Sequence, residues 1–352
     1  MSLLHAGLIG YGYAGRTLHA PLLAHTPGIT LTAIHTSKGE QARADWPHAT
    51  VYDDVDALLA DPRIELIVIA TPNDSHYPLA RQALLAGKHV VVDKPFTVTL
   101  DEARELERLA HETQRLLSVF HNRRWDADFL TLKSLLARGD LGRVVQFESH
   151  FDRFRPQVVQ RWREQSGPGT GLWFDLGPHL VDQALQLFGA PQAIFADMAA
   201  LREGAQTTDY FHVLLRYADK RVILHGANLV SGGAARYAVH GSHGSYTKYG
   251  LDTQEADLKR GGRPGDAAWG EDPRAGTLYL QHDGEEQAHP QANLAGDYRC
   301  YYQAVHDAID GSAANPVPPH EAIAVMAVIE LAVASAAAGR EMPLSAQSED
   351  AK

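Results

Sequence analysis

The chain has 352 residues, a length typical of about two domains with a sizeable core. Its formal net charge of −11 at pH 7 argues against nucleic-acid or anionic-membrane partners, because an acidic surface repels phosphate groups. The single cysteine, Cys300, excludes a disulfide framework and a zinc site built from several cysteines. We therefore expect a cytoplasmic protein that binds neither nucleic acid nor membranes.

The first third of the chain alternates between predicted strands and helices. Apolar or β-branched runs predict strands at residues 3–9, 29–34, 66–70, 89–92 and 116–120. Helical patterns cover residues 16–25, 55–60, 78–86 and 101–113. Strands and helices that alternate at this spacing form a parallel, doubly wound sheet. We predict an α/β domain of this kind for residues 1–121.

The remaining residues, 122–352, have a different pattern and are predicted to form a second domain. Helices are predicted at residues 126–138, 175–188 and near the C-terminus, and strands at residues 144–151, 193–201, 211–217, 222–229 and 236–240. This pattern indicates a mostly antiparallel sheet. Residues 261–290 are polar and glycine-rich, which predicts loops around one strand.

No signal peptide is expected, since the N-terminus lacks a basic segment followed by a long apolar core. The most apolar stretch, residues 322–338, is rich in alanine and contains Glu330 near its centre. Because a membrane span needs about 20 consecutive apolar residues, this stretch predicts a buried helix.

Gly10, Gly12 and Gly15 form a G-x-G-x-x-G pattern between the first predicted strand and the first predicted helix. Glycine there permits a tight turn and lets the backbone approach a pyrophosphate, whose charge lies at the helix N-terminus. In this context the pattern predicts a dinucleotide site. An ordinary tight turn between strand and helix is the alternative.

The end of the second predicted strand bears on the choice of dinucleotide. An NAD site usually has an acid there that binds the ribose hydroxyls, whereas no Asp or Glu precedes Glu40 in this chain. Ser37 can donate a hydrogen bond to a 2′-phosphate, and Lys38 can neutralise its charge. We therefore predict NADP rather than NAD, with a simple polar loop as the alternative.

Two further motifs carry candidate catalytic groups. Lys94 follows a predicted strand, at the edge where open α/β sheets bind ligands, although a solvated loop lysine is equally consistent. If a helix starts near Asp175, Pro178 lies in its first turn and His179 shares a face with Asp175. An imidazole that donates a hydrogen bond to a carboxylate is a better base. The alternatives are a helix cap for Asp175 and a core histidine for His179.

We predict no metal site. Asp182 lies on a nearby face of the same predicted helix, but two or three ligands without a further cluster are weak support for a metal ion. His240 is one of 19 histidines, a number at which chance pairings are expected.

Together these motifs resemble the Gfo/Idh/MocA family of NAD(P)-dependent oxidoreductases. The residues that carry the resemblance are Gly-Tyr-Gly-Tyr-Ala-Gly at 10–15, Thr-Pro-Asn at 71–73, Asp-Lys-Pro at 93–95 and Asp-Leu-Gly-Pro-His at 175–179. Segments 121–129, 155–164 and 208–215 are similar to the NADP-dependent scyllo-inositol dehydrogenases of that family. The resemblance implies a Rossmann domain, a C-terminal α/β domain with a large open sheet, and a homodimer or homotetramer.

The resemblance also implies roles for individual residues. Lys94, Asp175 and His179 would be catalytic, with either His179 or Lys94 accepting the substrate proton. The family more often has Glu-Lys-Pro, so Asp93 could change how Lys94 is held. The implied cofactor-binding residues are Gly10, Tyr11, Gly12, Tyr13, Ala14, Gly15, Ser37, Lys38, Thr71, Pro72, Asn73, His76, Lys94 and Pro95. Candidate substrate contacts, each with simple packing as its alternative, are Asn122, Arg123, Arg153, Arg155 and Trp162.

The expected reaction is hydride transfer between NADP and a secondary alcohol of a cyclic polyol or sugar, such as scyllo-inositol. Three alternatives are an aldose or other sugar dehydrogenase of the same family, a non-catalytic NAD(P)-sensing regulator, and a metal-dependent lyase or hydrolase. The joint presence of Lys94, Asp175 and His179 favours an enzyme.

Overall fold

The computed structural model describes residues 3–344. These residues form two compact units. The first contains the described residues up to 130, together with 252–272 and 294–326. The second contains residues 131–251, 273–293 and the described residues from 327 onward.

The first unit is built on a six-stranded sheet. Its strands are β1 (Leu4–Ile9), β2 (Ile29–His35), β3 (Thr50–Tyr52), β4 (Leu66–Ile69), β5 (His89–Val92) and β6 (Leu117–Val119). The helices that alternate with them are α1 (Ala20–His25), preceded by a π-helical turn at Gly15–His19, then α2 (Gly39–Asp45), α3 (Val55–Ala60), α4 (His76–Leu85) and α5 (Leu100–Thr113). Every pairing between these strands is parallel.

The strand order, β3-β2-β1-β4-β5-β6, confirms the predicted doubly wound fold. The order reverses between β1 and β4, and ligands of such sheets bind beyond the carboxyl ends of the strands at this point. All four residues of β4 are fully buried, as expected for an inner strand covered on both faces. The sequence did not reveal β3 or α2, which are short and lack a clear apolar period.

The second unit is built on a nine-stranded sheet in the order β14-β13-β12-β11-β7-β10-β9-β8-β15. Its strands are β7 (Val144–His150), β8 (Ala193–Ala199), β9 (Tyr210–Arg216), β10 (Arg221–Ala227), β11 (Ala235–Gly241), β12 (Gly244–Tyr249), β13 (Gly276–His282), β14 (Glu285–Gln291) and β15 (Met342–Pro343). The remaining helices of the chain are α6 (Ala127–Arg138), α7 (Gly171–Phe188), α8 (Gln254–Lys259), α9 (Arg299–Ile309) and α10 (Pro319–Ala338), of which α8 and α9 belong to the first unit. The β7–β10 pair is parallel and the other pairs are antiparallel, which confirms the predicted mostly antiparallel sheet.

Alternation along the strands gives this sheet two different faces. One face is apolar, with Phe147, Val213 and Leu224 fully buried, and α7 packs against β9 and β10. Successive residues of a strand point to opposite faces, so the other face carries partly buried polar side chains, His150 and His225 among them.

Residues 261–290 contain two strands rather than the predicted one. β13 and β14 form a hairpin through Asp283 and Gly284. The second strand was missed because β14 is an exposed edge strand without the alternation that a half-buried strand shows.

Helix α10 is apolar and long enough to pass a length-and-composition test for a membrane span. A core helix passes the same test, and the buried residues of α10 include Ala322, Ile323, Val325, Met326, Val328, Ile329 and Ala332. This burial agrees with the predicted core helix.

Candidate functional site

The glycine turn, residues 10–15, follows β1 and contacts the end of β4. Gly10 has a φ of +98°, and a Cβ there would lie 2.6 Å from the carbonyl oxygen of Ala70. A Cβ on Gly15 would overlap the carbonyl oxygen of Gly10. At Gly12, by contrast, a Cβ would meet none of the described atoms within 4 Å. The fold therefore requires glycine at 10 and 15, whereas glycine at 12 leaves space outside the turn, where a pyrophosphate would approach.

The other residues of the turn are tied to their surroundings within the first unit. The buried hydroxyl of Tyr11 donates to Asp45 Oδ2 at 2.9 Å, and burial together with Asp45 raises the pKa of Tyr11 to about 12. The hydroxyl of Tyr13 donates to Glu255 Oε1 at 2.7 Å. Glu255 also accepts a hydrogen bond from Arg123 at 2.6 Å. Ala14 is partly buried at the start of the helical segment.

The end of β2 presents cations to solvent. Ser37 and Lys38 are exposed, and the Lys38 N–H donates to Thr36 Oγ1 at 3.0 Å. Arg43, from α2, places Nη1 3.0 Å from the position that a Cβ on Gly39 would occupy, so its guanidinium lies beside the same turn. Arg43 could not be recognised from the sequence, because α2 has no clear helical pattern.

Asp45, which accepts the hydrogen bond from Tyr11, is also paired with a cation. Arg16 Nε donates to Asp45 Oδ2 at 2.7 Å. The hydrogen bonds from Arg16 and Tyr11 lower the pKa of Asp45, against the effect of its burial. The open glycine turn thus fits a dinucleotide, and exposed cations lie beyond β2 in the same unit.

His76 connects the turns that follow β4 and β5. Its buried ring lies between two carbonyl oxygens, that of Thr71 at 3.1 Å from Nε2 and that of Pro95 at 2.8 Å from Nδ1. Burial lowers its pKa, opposed by Asp93 and by these carbonyl groups. Asn73 is also buried, and Pro72 precedes it in the same turn. His76 therefore connects the two turns by contacting a backbone carbonyl group of each. Its sequence position did not reveal this role.

Lys94 is held by the neighbouring aspartate. Asp93 Oδ1 accepts a hydrogen bond from the Lys94 N–H at 2.8 Å, and Asp93 Oδ2 lies 3.7 Å from His19 Nε2. Burial raises the pKa of Asp93, but His19, Lys94 and His76 together lower it to about 2. The carboxylate is therefore ionised at neutral pH, and its short side chain reaches the backbone of the lysine.

In the second unit, α7 carries Asp175 and His179 on one face. Asp175 Oδ2 lies 3.5 Å from Arg153 Nη1, and Oδ1 lies 3.8 Å from Arg163 Nε. The His179 side chain is buried. A Cβ on Gly177 would lie 2.6 Å from the Trp173 ring, so glycine at 177 leaves room for the indole against the helix.

Helix α7 begins four residues before the predicted start at Asp175. Its first turn is stabilised from outside the helix, because the Leu172 N–H donates to the Thr208 carbonyl at 2.7 Å. Asp175 is therefore not a helix cap, and Pro178 lies inside the helix rather than in its first turn. The shared face of Asp175 and His179 is unaffected, since it depends only on their spacing.

The five predicted substrate contacts have different surroundings. Asn122 and Arg123 are buried in the first unit, where the Arg123 guanidinium contacts Asp126 and Glu255, an arrangement that agrees with a packing role. In the second unit Arg153 contacts Asp175, Arg155 is exposed, and Trp162 lies under the guanidinium of Arg163 at 4.6 Å. Arg163, which contacts Asp175, was missed from the sequence.

The predicted site residues thus fall into two groups. The glycine turn, the end of β2, the turns after β4 and β5, and Lys94 lie in the first unit. Asp175, His179, Arg153, Arg155 and Trp162 lie in the second.

Comparison with known proteins bears on what this arrangement does. The model for the NAD-binding Rossmann fold of the Gfo/Idh/MocA oxidoreductase family matches residues 4–121, and the model for the C-terminal α/β domain of that family matches residues 133–344. The uncharacterized oxidoreductase YdgJ of Escherichia coli is 58% identical over 95% of this chain and 96% of its own length. The scyllo-inositol 2-dehydrogenase (NADP(+)) IolW of Bacillus subtilis is 40% identical over 97% of this chain and 96% of its own.

A solved structure of an oxidoreductase from Yersinia pestis is also similar, with a TM-score of 0.95 at 54% identity over 98% of both chains. The two family models together span most of the chain, and the relatives cover at least 95% of it. The chain therefore belongs to the Gfo/Idh/MocA family of oxidoreductases.

Proposed function

We propose that this dehydrogenase acts on CH–OH groups of a cyclic polyol related to scyllo-inositol and uses NADP. The observation that carries the proposal is the identity of 40% over 97% of the chain to a protein named as an NADP-dependent scyllo-inositol 2-dehydrogenase. The exposed cations at the end of β2 support the choice of cofactor. We further propose that the enzyme is a cytoplasmic homodimer or homotetramer.

The residues that would hold NADP belong to the first unit. The backbone of the glycine turn would face the pyrophosphate, and Lys38 and Arg43 would neutralise a 2′-phosphate. The turns that His76 connects contain Thr71, Asn73 and Pro95. Bound NADP⁺ would supply the acceptor for the hydride that leaves the alcohol carbon.

His179, Asp175 and Lys94 would have separate catalytic roles. The His179 imidazole accepts the proton of the substrate hydroxyl. Asp175 orients that imidazole and stabilises its charged form. The Lys94 ammonium donates a hydrogen bond to the substrate oxygen and stabilises the negative charge that develops there.

A substrate panel tests the proposal. Purified protein is supplied with scyllo-inositol, myo-inositol or an aldose, each with NADP⁺ or NAD⁺, and the absorbance of the reduced nicotinamide is followed. We expect turnover with an inositol and NADP⁺. Turnover with aldoses alone would contradict the assigned substrate class, and turnover with NAD⁺ alone would contradict the assigned cofactor.

Changing both cations beyond β2 should alter the cofactor preference. We expect the double substitution Lys38→Ala, Arg43→Ala to raise KM for NADP⁺ about tenfold to a hundredfold, since a hydrogen bond to a charged group is worth about 1.5–3 kcal/mol. KM for NAD⁺, which lacks the 2′-phosphate, should change little. The matched control is Arg108→Ala, an exposed arginine of α5. Equal effects on the two cofactors would disprove the phosphate-binding role.

A further inference from the structure

A histidine–carboxylate cluster lies on the polar face of the nine-stranded sheet, in the second unit. It consists of His150 at the end of β7, Asp152 two residues later, and His225 on β10. One ligand atom from each residue lies within 4.8 Å of the other two. None of these residues belongs to the motifs that indicate the dehydrogenase.

The backbone fixes this arrangement. β7 and β10 are parallel, and His150 is the register partner of His225. The pairing continues past the end of β7, where the Phe151 N–H donates to the His225 carbonyl at 2.9 Å. Asp152 lies two residues after His150, so its side chain points to the same face. The three side chains therefore converge because of strand register.

The distances suit a transition-metal ion. Asp152 Oδ2 lies 3.4 Å from His150 Nδ1, and the other carboxylate oxygen, Oδ1, lies 3.4 Å from His225 Nε2, so each histidine faces a different oxygen of the carboxylate. Two ligands that each lie about 2.0–2.1 Å from a tetrahedral ion are separated by about 3.3–3.4 Å. Separations of 3.4 Å are also longer than charge-assisted N–H···O hydrogen bonds, which measure about 2.7–2.9 Å.

Burial gives a second, independent indication. The Asp152 side chain is 4% exposed. Within the described residues, its Oδ2 atom and His150 Nδ1 are buried and have no hydrogen-bond partner. An unsatisfied buried carboxylate oxygen is costly, and an ion bound between these atoms would remove that cost.

The surrounding groups are arranged as they are around many metal ligands. His150 Nε2 lies 3.2 Å from Glu148 Oε2, so that carboxylate can accept the second N–H of the ring and leave Nδ1 free to bind an ion. Asp152 Oδ1 accepts a hydrogen bond from the Ala227 N–H at 3.1 Å. The histidine side chains retain 19% and 14% exposure, which leaves a solvent path for an ion and for a water ligand.

We propose that His150, Asp152 and His225 bind one divalent transition-metal ion of the Zn²⁺ class. The absence of a metal site was predicted from the motifs around α7, and this cluster is separate from them. An ion here would join the end of β7 to β10 just before Arg153, whose guanidinium contacts Asp175. Its role would be to hold that strand end, and the proposal does not depend on the identity of the substrate.

Zinc binding to the full-length protein tests the site. Chelator-treated protein is titrated with Zn²⁺ by calorimetry, and Co²⁺ replaces Zn²⁺ in a parallel sample so that absorption in the visible range reports the coordination. We expect one ion per chain and a higher melting temperature with Zn²⁺. The visible absorption of the Co²⁺ sample should indicate tetrahedral rather than octahedral coordination. Absence of stoichiometric Zn²⁺ binding would overturn the proposal.

Matched variants assign the ligands. Asp152→Asn and His225→Gln should each weaken Zn²⁺ binding about a hundredfold or more, and Glu148→Gln about tenfold to a hundredfold. Glu148→Gln leaves the three ligands in place, so it remains informative if a ligand variant folds poorly. His240→Gln is the control, because His240 lies on β11 opposite Gln146 and bonds Ser245 instead. Unchanged affinity in the two ligand variants, or equal losses in the control, would overturn the assignment.

Discussion

Replacing Lys94 by alanine should lower kcat about 10²- to 10⁴-fold, the usual range for the loss of a group that donates to or stabilises the reacting oxygen. Lys94 lies on the turn after β5, at the edge of the sheet where ligands bind. Asp93 and His76 contact the backbone of that turn. The loss should therefore appear in the chemical step, measured as kcat with saturating NADP⁺ and polyol.

Thermal unfolding and an arginine variant provide the controls for this variant. The melting temperature should stay within a few degrees of that of the wild type, because the Lys94 side chain is only partly buried. Lys94→Arg keeps the positive charge but changes the donor geometry, so it should recover little activity. Near-normal turnover by Lys94→Ala would remove Lys94 from the mechanism.

The glycine turn gives a second strong prediction, in the form of a contrast between two positions. Gly15→Ala should both lower stability and abolish cofactor binding, because the added methyl group would overlap the Gly10 carbonyl oxygen. Gly12→Ala should leave the melting temperature nearly unchanged, since its Cβ meets none of the described atoms within 4 Å. It should still weaken NADPH binding about tenfold or more, because the backbone can no longer approach the pyrophosphate as closely.

Fluorescence titration with NADPH and thermal unfolding separate the two effects. If Gly12→Ala binds NADPH as tightly as the wild type, the open space beside this residue is not where the cofactor lies. If Gly12→Ala unfolds as readily as Gly15→Ala, the turn depends on glycine at 12 for its own packing.

The sequence predicted the first unit well because its signals are local. β4 is a continuous apolar run, β5 contains three successive buried valines, and β5 has the predicted bounds of residues 89–92. The glycine pattern could be placed because it lies directly between a strand and a helix. What remained hidden was the tertiary environment of single residues, such as His76 between two carbonyl groups.

The second unit shows why part of the site could not be predicted. The early start of α7 depends on the carbonyl group of Thr208, 36 residues away from Leu172 in the chain. The cluster of His150 and His225 depends on the register between β7 and β10, which are separated by two other strands in sequence. Spacing within the sequence carries no signal for either contact.

The bond from Tyr13 to Glu255 has a consequence for the order of events during synthesis. The glycine turn is synthesised before its partner, because the acceptor of its tyrosine lies 242 positions later in the chain. Because chain synthesis proceeds at about 5–20 residues per second, that partner is made at least about ten seconds after the turn. A nascent chain can therefore form the parallel sheet early, but its glycine turn acquires this contact only after Glu255 has been made.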